Sequence, residues 1–270
     1  MDNLTVKKIV MVGAGNLAVH LSLALKNAGY QIIQVFSRTE ESAKHLADKL
    51  NADWLTALSQ LSDKGDLYFL ALSDMALQEL IGYIGGGQKF LVHTSGSIPL
   101  EILRNRSANY GVFYPVQTFT KTRAVDFSNI PLCIEANNEK NEELLFELGR
   151  KLSDRVFRIN SRQRLYLHLA AVFASNFTNH MYHISSVILE KEELPPDLLI
   201  PLITETASKV RTIHPSKGQT GPAVRNDQNV IKKHLDLLSF SPEMREIYTI
   251  LSRNISRYRQ GRSDMSDGYV

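Results

Sequence analysis

The sequence contains a single cysteine, Cys133, among its 270 residues. One cysteine can form neither an internal disulfide nor a cysteine-based zinc cluster. No apolar run approaches the roughly 18 residues that a membrane span requires, and the first eight residues have no apolar signal core. The net charge of +3 is too small to indicate nucleic-acid binding. These absences favour a cytoplasmic protein that binds neither membranes nor nucleic acid.

The first 160 residues alternate short apolar runs with segments of helical period. This alternation is typical of a parallel sheet covered by helices. The predicted strands are Lys8–Val12, Gln31–Ser37, Leu67–Leu72, Lys89–Thr94, Gly111–Val116, Pro131–Glu135 and Val156–Ile159. The intervening helices are predicted to begin near Asn16, Thr39, Asp74 and Asn138. We therefore expect an α/β domain over residues 1–160 with a doubly wound, mostly parallel sheet of the Rossmann type.

After residue 160 the strand-like runs disappear and the apolar period stays near 3.6. The predicted helices cover residues 161–190, 196–214, 226–238 and 241–258. Proline and glycine mark the breaks between them, and the segment from Pro215 to Pro222 is expected to be a turn or loop. The sequence thus predicts an all-α second domain over residues 161–260 and a disordered tail over residues 261–270.

The first predicted strand leads directly into the turn Gly13-Ala14-Gly15-Asn16-Leu17-Ala18. In a Gly-x-Gly-x-x-Ala turn the first glycine permits the bend, and the second leaves no side chain between the backbone and a pyrophosphate. The following helix offers unpaired N–H groups to the phosphates. The strand before the turn and the amphipathic helix after it favour a dinucleotide site over a glycine turn of some other α/β protein.

The residues after the second predicted strand indicate which dinucleotide is bound. An acidic residue there would bind the 2′-hydroxyl of NAD, but this chain has Ser37, Arg38 and Thr39. A guanidinium between two hydroxyls favours the 2′-phosphate of NADP, and Arg38 alone can give roughly a ten- to hundredfold preference. The alternative is that Arg38 is only a surface residue at the start of a helix.

The ends of the later strands should also contact the cofactor, because ligands of this fold lie outside the carboxyl ends of the strands. Leu72 and Ser73 are expected to be backbone contacts, whereas Asp74 is assigned a structural role. The predicted cofactor-binding residues are Gly13, Gly15, Asn16, Leu17, Ser37, Arg38, Thr39, Leu72, Ser73 and Thr94.

Four further motifs carry a resemblance to a known family. They are His93-Thr94-Ser95-Gly96, Tyr114-Pro115-Val116-Gln117-Thr118-Phe119, His168-Leu169-Ala170-Ala171-Val172-Phe173-Ala174-Ser175-Asn176 and Thr220-Gly221-Pro222-Ala223-Val224-Arg225-Asn226-Asp227. With the glycine turn, they resemble a bacterial family of putative NADP oxidoreductases, in which a Rossmann-like domain precedes a helical domain of unknown function. That family is related to β-hydroxyacid dehydrogenases and pyrroline-5-carboxylate reductases. The resemblance implies NADP as cofactor and a homodimer formed through the helical domain.

The resemblance to β-hydroxyacid dehydrogenases is partial. In those enzymes the serine of an Asp-x-Ser-Thr-x-x-Pro loop helps to hold the substrate carboxylate, and Ser95 and Pro99 match this pattern. A catalytic lysine stands four residues before an asparagine on the first helix of their second domain. Asn176 matches the asparagine, but Val172 occupies the lysine position. The lysine that acts as the general acid in those enzymes is therefore missing from this helix.

Other polar residues can do chemistry on the same helix. On a regular helix His168, Val172, Asn176 and His180 fall on one stripe, which suggests a face lining a cavity. Each histidine alone can equally be a structural hydrogen-bond donor between helices. No metal is predicted, because no carboxylate accompanies the histidines in a ligand spacing.

The loop before residue 228 supplies a cation. Arg225 can bind a carboxylate or phosphate, and Asp227 can orient it or cap the next helix. Alternatively, Asp227 is only an N-cap and Arg225 only its ion-pair partner. The predicted catalytic residues are His168, Asn176, Ser95 and Arg225. His168 is the candidate proton donor, because an ordinary imidazole has a pKa of about 6.5.

These features predict an NADP-dependent oxidoreductase that transfers a hydride between NADP(H) and a small carbonyl or imine substrate, with an anionic group on that substrate. The alternative is an NADP-binding sensor or regulatory protein without turnover. The missing lysine favours the sensor, whereas the number of polar residues expected near the cleft opposes it.

Overall fold

The computed structural model describes residues 6–84 and 87–260, so the tail predicted to be disordered lies outside the described residues. The chain divides into two compact units, with the boundary after Phe177. The first unit is built around one sheet, and the described part of the second unit consists of helices and their connections.

The strands are β1 (Lys8–Val12), β2 (Gln31–Phe36), β3 (Asp53–Leu55), β4 (Leu67–Leu70), β5 (Phe90–His93), β6 (Asn109–Pro115), β7 (Leu132–Ala136) and β8 (Val156–Arg158). The α-helices of the first unit are α1 (Asn16–Asn27), α2 (Glu40–Leu50), α3 (Asp74–Leu80), α4 (Glu139–Arg150) and α5 (Ser161–Ala171). Those of the second unit are α6 (Thr178–Glu190), α7 (Ile200–Lys209), α8 (Pro215–Gly218), α9 (Gln228–Leu237) and α10 (Pro242–Gln260). A π-helical segment, Val172–Phe177, joins α5 to α6.

The eight strands form one sheet in the order β3-β2-β1-β4-β5-β6-β7-β8. All neighbouring pairs are parallel except β6 and β7. The order runs in opposite directions from β1, which is the doubly wound arrangement. The predicted fold class, an α/β unit of Rossmann type followed by helices, is confirmed.

Both faces of the sheet are covered. Alternate residues of a strand point to opposite faces, and in β1 the side chains of Ile9 and Met11 join one apolar cluster while Val10 and Val12 join the other. All four are fully buried. The near-continuous apolar runs of the sequence are therefore explained by burial on two sides.

The structure differs from the expected elements in several places. The helix expected over residues 161–190 is interrupted by the π-helical segment, and the one expected over 196–214 is a 3-10 turn followed by α7, which ends at Lys209. The short strand β3 was not predicted, because its three residues are too few to show a period. The segment Pro215–Gly218, expected to be irregular, forms the single helical turn α8, in which proline occupies a first-turn position that needs no N–H. The first unit extends to Phe177 rather than ending near residue 160, because side-chain contacts described below attach α5 to the sheet.

The second unit has its own internal contacts. Nδ1 of His234 on α9 and the Tyr248 hydroxyl on α10 form a hydrogen bond of 2.8 Å. Ser256 on α10 donates to the carbonyl of Ala223 at 2.8 Å, which holds the loop before α9. Among the described helices, none combines the length and the hydropathy that crossing a membrane would require.

Candidate functional site

The turn after β1 can be made only with glycine at position 13. Gly13 has a backbone φ of +125°, a value that residues with a side chain rarely adopt. A Cβ on Gly13 would also lie 2.2 Å from the carbonyl oxygen of Ala71, which follows β4. The N–H of Gly13 donates to the carbonyl of Phe36 at 2.8 Å, so the turn is held between the ends of two neighbouring strands.

Gly15 is glycine for a different reason. A Cβ on Gly15 would meet no described atom within 4 Å, and its φ of −75° suits any residue. Gly15 is exposed and directly precedes α1, whose first turn contains no acidic residue. An exposed helix N-terminus with its N–H groups uncapped by a side chain suits a phosphate. The turn therefore fits the pyrophosphate of a dinucleotide, and Ala18 behind it is fully buried.

The start of α1 also holds a segment that follows β6. The side-chain amide of Asn16 donates to the carbonyl of Phe119 at 2.8 Å. One turn later, Nε2 of His20 lies 2.9 Å from the carbonyl of Thr120, and its ring stacks on Phe119 with centroids 5.5 Å apart. Leu17 is partly buried and, like Phe119, packs against the apolar cluster that contains Ile9 and Met11. Asn16 is thus engaged by the protein itself as well as being a predicted cofactor contact.

The residues predicted to select NADP lie between β2 and α2. Ser37 is half-buried and its N–H donates to Leu55, whereas Arg38 and Thr39 are exposed. Arg38 forms no ion pair with any residue that the structure describes. Thr39 precedes α2 without capping it through its side chain. The guanidinium is therefore available to a 2′-phosphate.

Asp74 connects the loops after β4 and β5. Ser73 caps α3 by accepting from the N–H of Ala76 at 3.3 Å, which leaves the Asp74 carboxylate for other contacts. The Ser95 hydroxyl donates to that carboxylate at 2.6 Å, and the Ser97 hydroxyl donates to its other oxygen. The structural role predicted for Asp74 is thus a bridge between two loops.

Ser95 is buried and its hydroxyl is fully engaged. Its Oγ accepts from the backbone N–H groups of Ser97 and Ile98, at 3.1 Å and 3.0 Å, while its proton is directed to Asp74. Thr94, just before it, is also buried, and Leu72 after β4 is half-buried. In this arrangement the Ser95 hydroxyl determines the shape of the loop after β5.

His93 at the end of β5 is a buried neutral imidazole. Its Nδ1 accepts from the N–H of Ser95 at 3.2 Å, and its Nε2 has no hydrogen-bond partner among the described residues. Burial lowers the pKa of His93 to about 3, and the positive charge of Arg164 acts in the same direction, against weaker effects of the Pro99 backbone and Asp74. His93 therefore stays uncharged at neutral pH and supports the loop.

The start of α5 is attached to the sheet by a buried ion pair. Arg164, which is 1% exposed, pairs with Glu135 on β7 and donates to the carbonyl of Ile98 at 2.7 Å. Glu135 also accepts from the backbone and the hydroxyl of Ser161, at 2.8 Å and 2.7 Å. Asn160 closes the helix start with a capping box. These contacts fix where the next turn of α5 lies.

That next turn carries His168. Its Nδ1 lies 3.2 Å from the hydroxyl of Tyr114 on β6, and the two rings meet edge to face. A Cβ on Gly96 would lie 2.7 Å from Nδ1 of His168. The structure therefore places His168 against the loop that contains Ser95, within the first unit.

These groups share one edge of the sheet. The adjacent strands β1, β4, β5 and β6 are parallel, so their carboxyl ends lie at the same edge. Gly13 follows β1, Ser73 follows β4, Ser95 follows β5 and Tyr114 lies near the end of β6. The edge that carries the phosphate turn thus also carries the polar residues beside His168, as expected for a ligand site of this fold.

The stripe predicted beyond His168 is interrupted. Asn176 is exposed in the π-helical segment, whose i to i+5 bonding has a wider turn than an α-helix. The regular four-residue spacing from His168 to Asn176 is therefore lost. His180 lies beyond the boundary, in the second unit, where its ring approaches that of His183.

Arg225 lies in the second unit, in a loop with two residues at positive φ, Gly221 and Asn226. Asp227 caps α9 by accepting from Val230 at 3.2 Å. Arg225 is exposed, and within the described residues it forms no ion pair with Asp227 or any other carboxylate. Asp227 therefore caps α9, which both interpretations allow, and the ion pair that the alternative expects is not formed among the described residues.

Three residues beside the predicted site were not predicted from the sequence: Gly96, Tyr114 and Arg164. Gly96 and Tyr114 lie in motifs noted for their resemblance, but the His168 that both contact is more than fifty residues away, so no local pattern indicates the contact. Arg164 meets Glu135 at a separation of 29 residues. In the described part of the chain no group of three or more His, Cys, Asp or Glu is placed to hold a metal ion.

Comparisons with known proteins agree with this architecture. A family model described as a domain of unknown function (DUF2520) matches residues 130–255, and one described as shikimate/quinate 5-dehydrogenase matches residues 1–76. No curated protein matches the chain.

Solved structures match over nearly the whole chain. A putative NADP oxidoreductase from Bacteroides fragilis is 46% identical, with a TM-score of 0.90, and the match covers 94% of this chain and 99% of that one. A protein from Thermotoga maritima is 22% identical, with a TM-score of 0.70 and coverage of 94% and 99%. A 1-pyrroline-5-carboxylate reductase from Streptococcus pyogenes is 14% identical, with a TM-score of 0.60 and coverage of 93% and 98%. The last two are similar in fold alone.

Proposed function

Because this chain belongs to the bacterial NADP oxidoreductase family in which a Rossmann-like domain precedes a helical domain of unknown function, we propose that it transfers a hydride between NADP(H) and a small carbonyl or imine substrate. The observation that carries the proposal is the turn from Gly13 to Gly15. It presents an exposed helix N-terminus at the edge of the sheet where His168 lies beside Gly96.

The cofactor contacts are proposed from this turn outward. The backbone around Gly13, Gly15 and Leu17 would hold the pyrophosphate, and Arg38, between the hydroxyls of Ser37 and Thr39, would hold the 2′-phosphate. The remaining proposed contacts, Asn16, Leu72, Ser73 and Thr94, lie at the start of α1 and after β4 and β5.

In the proposed reaction, the protein itself donates a proton to the substrate through His168. NADPH, when bound, supplies the hydride and its electron pair to the substrate carbon. The π electrons of the C=O or C=N bond move to the heteroatom, which takes the Nε2 proton of a doubly protonated His168. The imidazole is left neutral and regains a proton from solvent. Nε2 of His168 forms no hydrogen bond with any described residue, whereas Nδ1 is engaged by Tyr114.

Substrate binding is assigned to Ser95 and Asn176 of the first unit, and Arg225 of the second unit is assigned by itself to binding an anion. Asn176 and Arg225 are exposed, so both are available for hydrogen bonds to an anionic substrate. The Ser95 hydroxyl donates to Asp74, so any contact with a substrate carboxylate requires that hydrogen bond to be exchanged. An arginine without a counter-charge among the described residues favours a carboxylate or phosphate as its ligand.

A screen of small keto acids and cyclic imines against the purified protein and NADPH tests this function. We expect at least one class to oxidise NADPH. Gly15→Ala is the matched control: it should lose cofactor affinity roughly tenfold or more with unchanged thermal stability, because the added Cβ meets only the space that the pyrophosphate would fill. If NADPH binds and every compound of both classes fails, the hydride-transfer proposal is refuted and a sensor without turnover is favoured, as Val172 at the lysine position also suggests.

We also propose that the helical unit associates with a second copy of the chain. Of the described residues in this unit, only Ala223 and Leu238 are buried apolar residues. On α7, Ile200 and Leu202 are 56% and 62% exposed. Exposed apolar side chains at this density mark a surface that a protein partner covers. Leu198, in the turn just before α7, is also exposed and belongs to the proposed interface.

A further inference from the structure

We infer that Tyr114 is the positioning residue for His168: it engages Nδ1 and so makes Nε2 the nitrogen that exchanges a proton with the substrate. The inference rests on the proposed function in one respect, because that function makes His168 the proton donor. The contact between the two side chains was not indicated by the sequence, since they are 54 residues apart.

The geometry leaves the imidazole little freedom. The Tyr114 hydroxyl is 3.2 Å from Nδ1, and the two rings are nearly perpendicular, with centroids 6.1 Å apart. Gly96 lies against both rings, because a Cβ at this position would be 2.7 Å from Nδ1 of His168 and 2.9 Å from Cζ of Tyr114. A real Cβ does not approach other heavy atoms so closely, so the absence of a side chain at position 96 allows the pair to form.

The helix that carries His168 is held from the turn before. Arg164 precedes His168 by four residues and therefore lies on the same face of α5. Its ion pair with Glu135 and its hydrogen bond to Ile98 fix that face against β7 and the loop after β5. Tyr114 lies on β6, next to β7, so the sheet holds both the helix and the hydroxyl that meets it.

The Tyr114 hydroxyl can form a hydrogen bond with the His168 imidazole whether the ring is neutral or charged. Burial raises the pKa of Tyr114, and Cys133 and Asp74 act in the same direction, whereas the Arg164 charge lowers it; the hydroxyl therefore keeps its proton. It donates to Nδ1 of the neutral ring and accepts from Nδ1–H of the charged ring. Loss of the Nε2 proton to the substrate first leaves the Nδ1–H tautomer, which still donates to the Tyr114 hydroxyl. Proton exchange with solvent then restores the resting Nε2–H tautomer, and the hydroxyl again donates to Nδ1.

The neutral ring gives a direct test. Nδ1 of the neutral ring can either donate or accept in this contact. We assign the donor role to the Tyr114 hydroxyl, because it has no other acceptor among the described residues, and therefore expect the imidazole hydrogen on Nε2. Two-bond 1H–15N spectra of the protein without cofactor, recorded at about pH 8.5, where an ordinary imidazole is neutral, report this tautomer. His168→Gln identifies the signal.

We expect wild-type His168 to be the Nε2–H tautomer. Tyr114→Phe, which keeps the ring and removes the hydroxyl, should shift the signal toward the tautomer mixture of an exposed histidine. Gly96→Ala should shift it as well with the hydroxyl still present, because the ring is displaced. Tyr110→Phe, on the same strand, is the matched control and should leave the signal unchanged.

The outcomes separate this inference from the proposed function. An identical His168 signal in wild type and Tyr114→Phe, or an Nδ1–H tautomer in wild type, overturns the inference whether or not the protein turns over NADPH. A shifted signal in a protein that oxidises no NADPH supports the inference and refutes the hydride-transfer proposal. In an active enzyme, Tyr114→Phe should lower kcat by at least about tenfold without changing the Kd of NADPH.

Discussion

At the residue scale, the two glycines of the phosphate turn show what a sequence motif can predict and what it cannot. The motif indicates that both positions need glycine, and it places the cofactor beside them. It does not indicate that the Ala71 carbonyl excludes a side chain at Gly13. A Cβ there would lie 2.2 Å from that oxygen, which belongs to the distant segment after β4. Gly15, by contrast, is required by no part of the described protein, which is the reason to assign it to the ligand.

His93 gives a prediction at the same scale. Its pKa of about 3 in the folded protein lies below the roughly 6.5 of an unfolded histidine, so between these values the unfolded chain binds a proton that the folded chain does not. Folding stability should therefore be fully present above about pH 6.5 and fall as the pH decreases, by at most about 1.4 kcal/mol per pH unit for this group.

Chemical denaturation of wild type and His93→Asn at several pH values between about 7 and 4 measures this effect. The asparagine keeps an acceptor for the N–H of Ser95 and does not titrate, so its free energy of unfolding should fall less steeply with acid. Parallel curves for the two proteins would show that burial of His93 contributes nothing to acid sensitivity.

At the element scale, seven of the eight strands could be predicted closely, whereas β3 and the interruption of the helix expected over residues 161–190 could not. Continuous apolar runs such as Leu67–Leu70 are local signals, and the bounds of the predicted strands agree with the observed ones to within two residues. The π-helical segment has no such signal, because the sequence period across Val172–Phe177 is compatible with an ordinary helix. The attachment of α5 depends on Arg164 meeting Glu135, 29 residues earlier in the chain.

Breaking the ion pair between Arg164 and Glu135 should lower the free energy of unfolding substantially. Glu135→Gln leaves the Arg164 guanidinium buried without a counter-charge, so we expect the free energy of unfolding to fall by about 3–5 kcal/mol. The control is Glu142→Gln on α4, which removes a partly exposed carboxylate 3.1 Å from Arg158 and should cost about 1 kcal/mol or less. Urea unfolding measures both, and equal losses would mean that the buried pair does not hold α5.

At the scale of the whole molecule, the composition indicates a globular chain but not the character of its second half. The helical period predicts helices after residue 160, and helices are found there. The period does not reveal that so few of their apolar residues are buried within one chain. A pattern shows which face of a helix is apolar, whereas the element that covers this face is set by tertiary or quaternary contacts.

Sedimentation velocity tests whether a second copy covers the helical unit. We expect the wild-type protein to sediment as a dimer at micromolar concentrations and Leu202→Glu on α7 to sediment as a monomer, because an interface cannot bury an unpaired carboxylate cheaply. Ser208→Glu introduces the same charge at a polar exposed position of that helix and should leave the dimer intact. A monomeric wild type would refute the association.

The central prediction for the whole molecule is that the turn after β1 and Arg38 bind NADP. Titration calorimetry of NADPH and of NADH into the purified protein and into Arg38→Ala tests it most directly. We expect wild type to bind NADPH about ten- to a hundredfold more tightly than NADH, and Arg38→Ala to bring that ratio close to one. Equal affinities in wild type, or a ratio that Arg38→Ala leaves unchanged, would contradict the account.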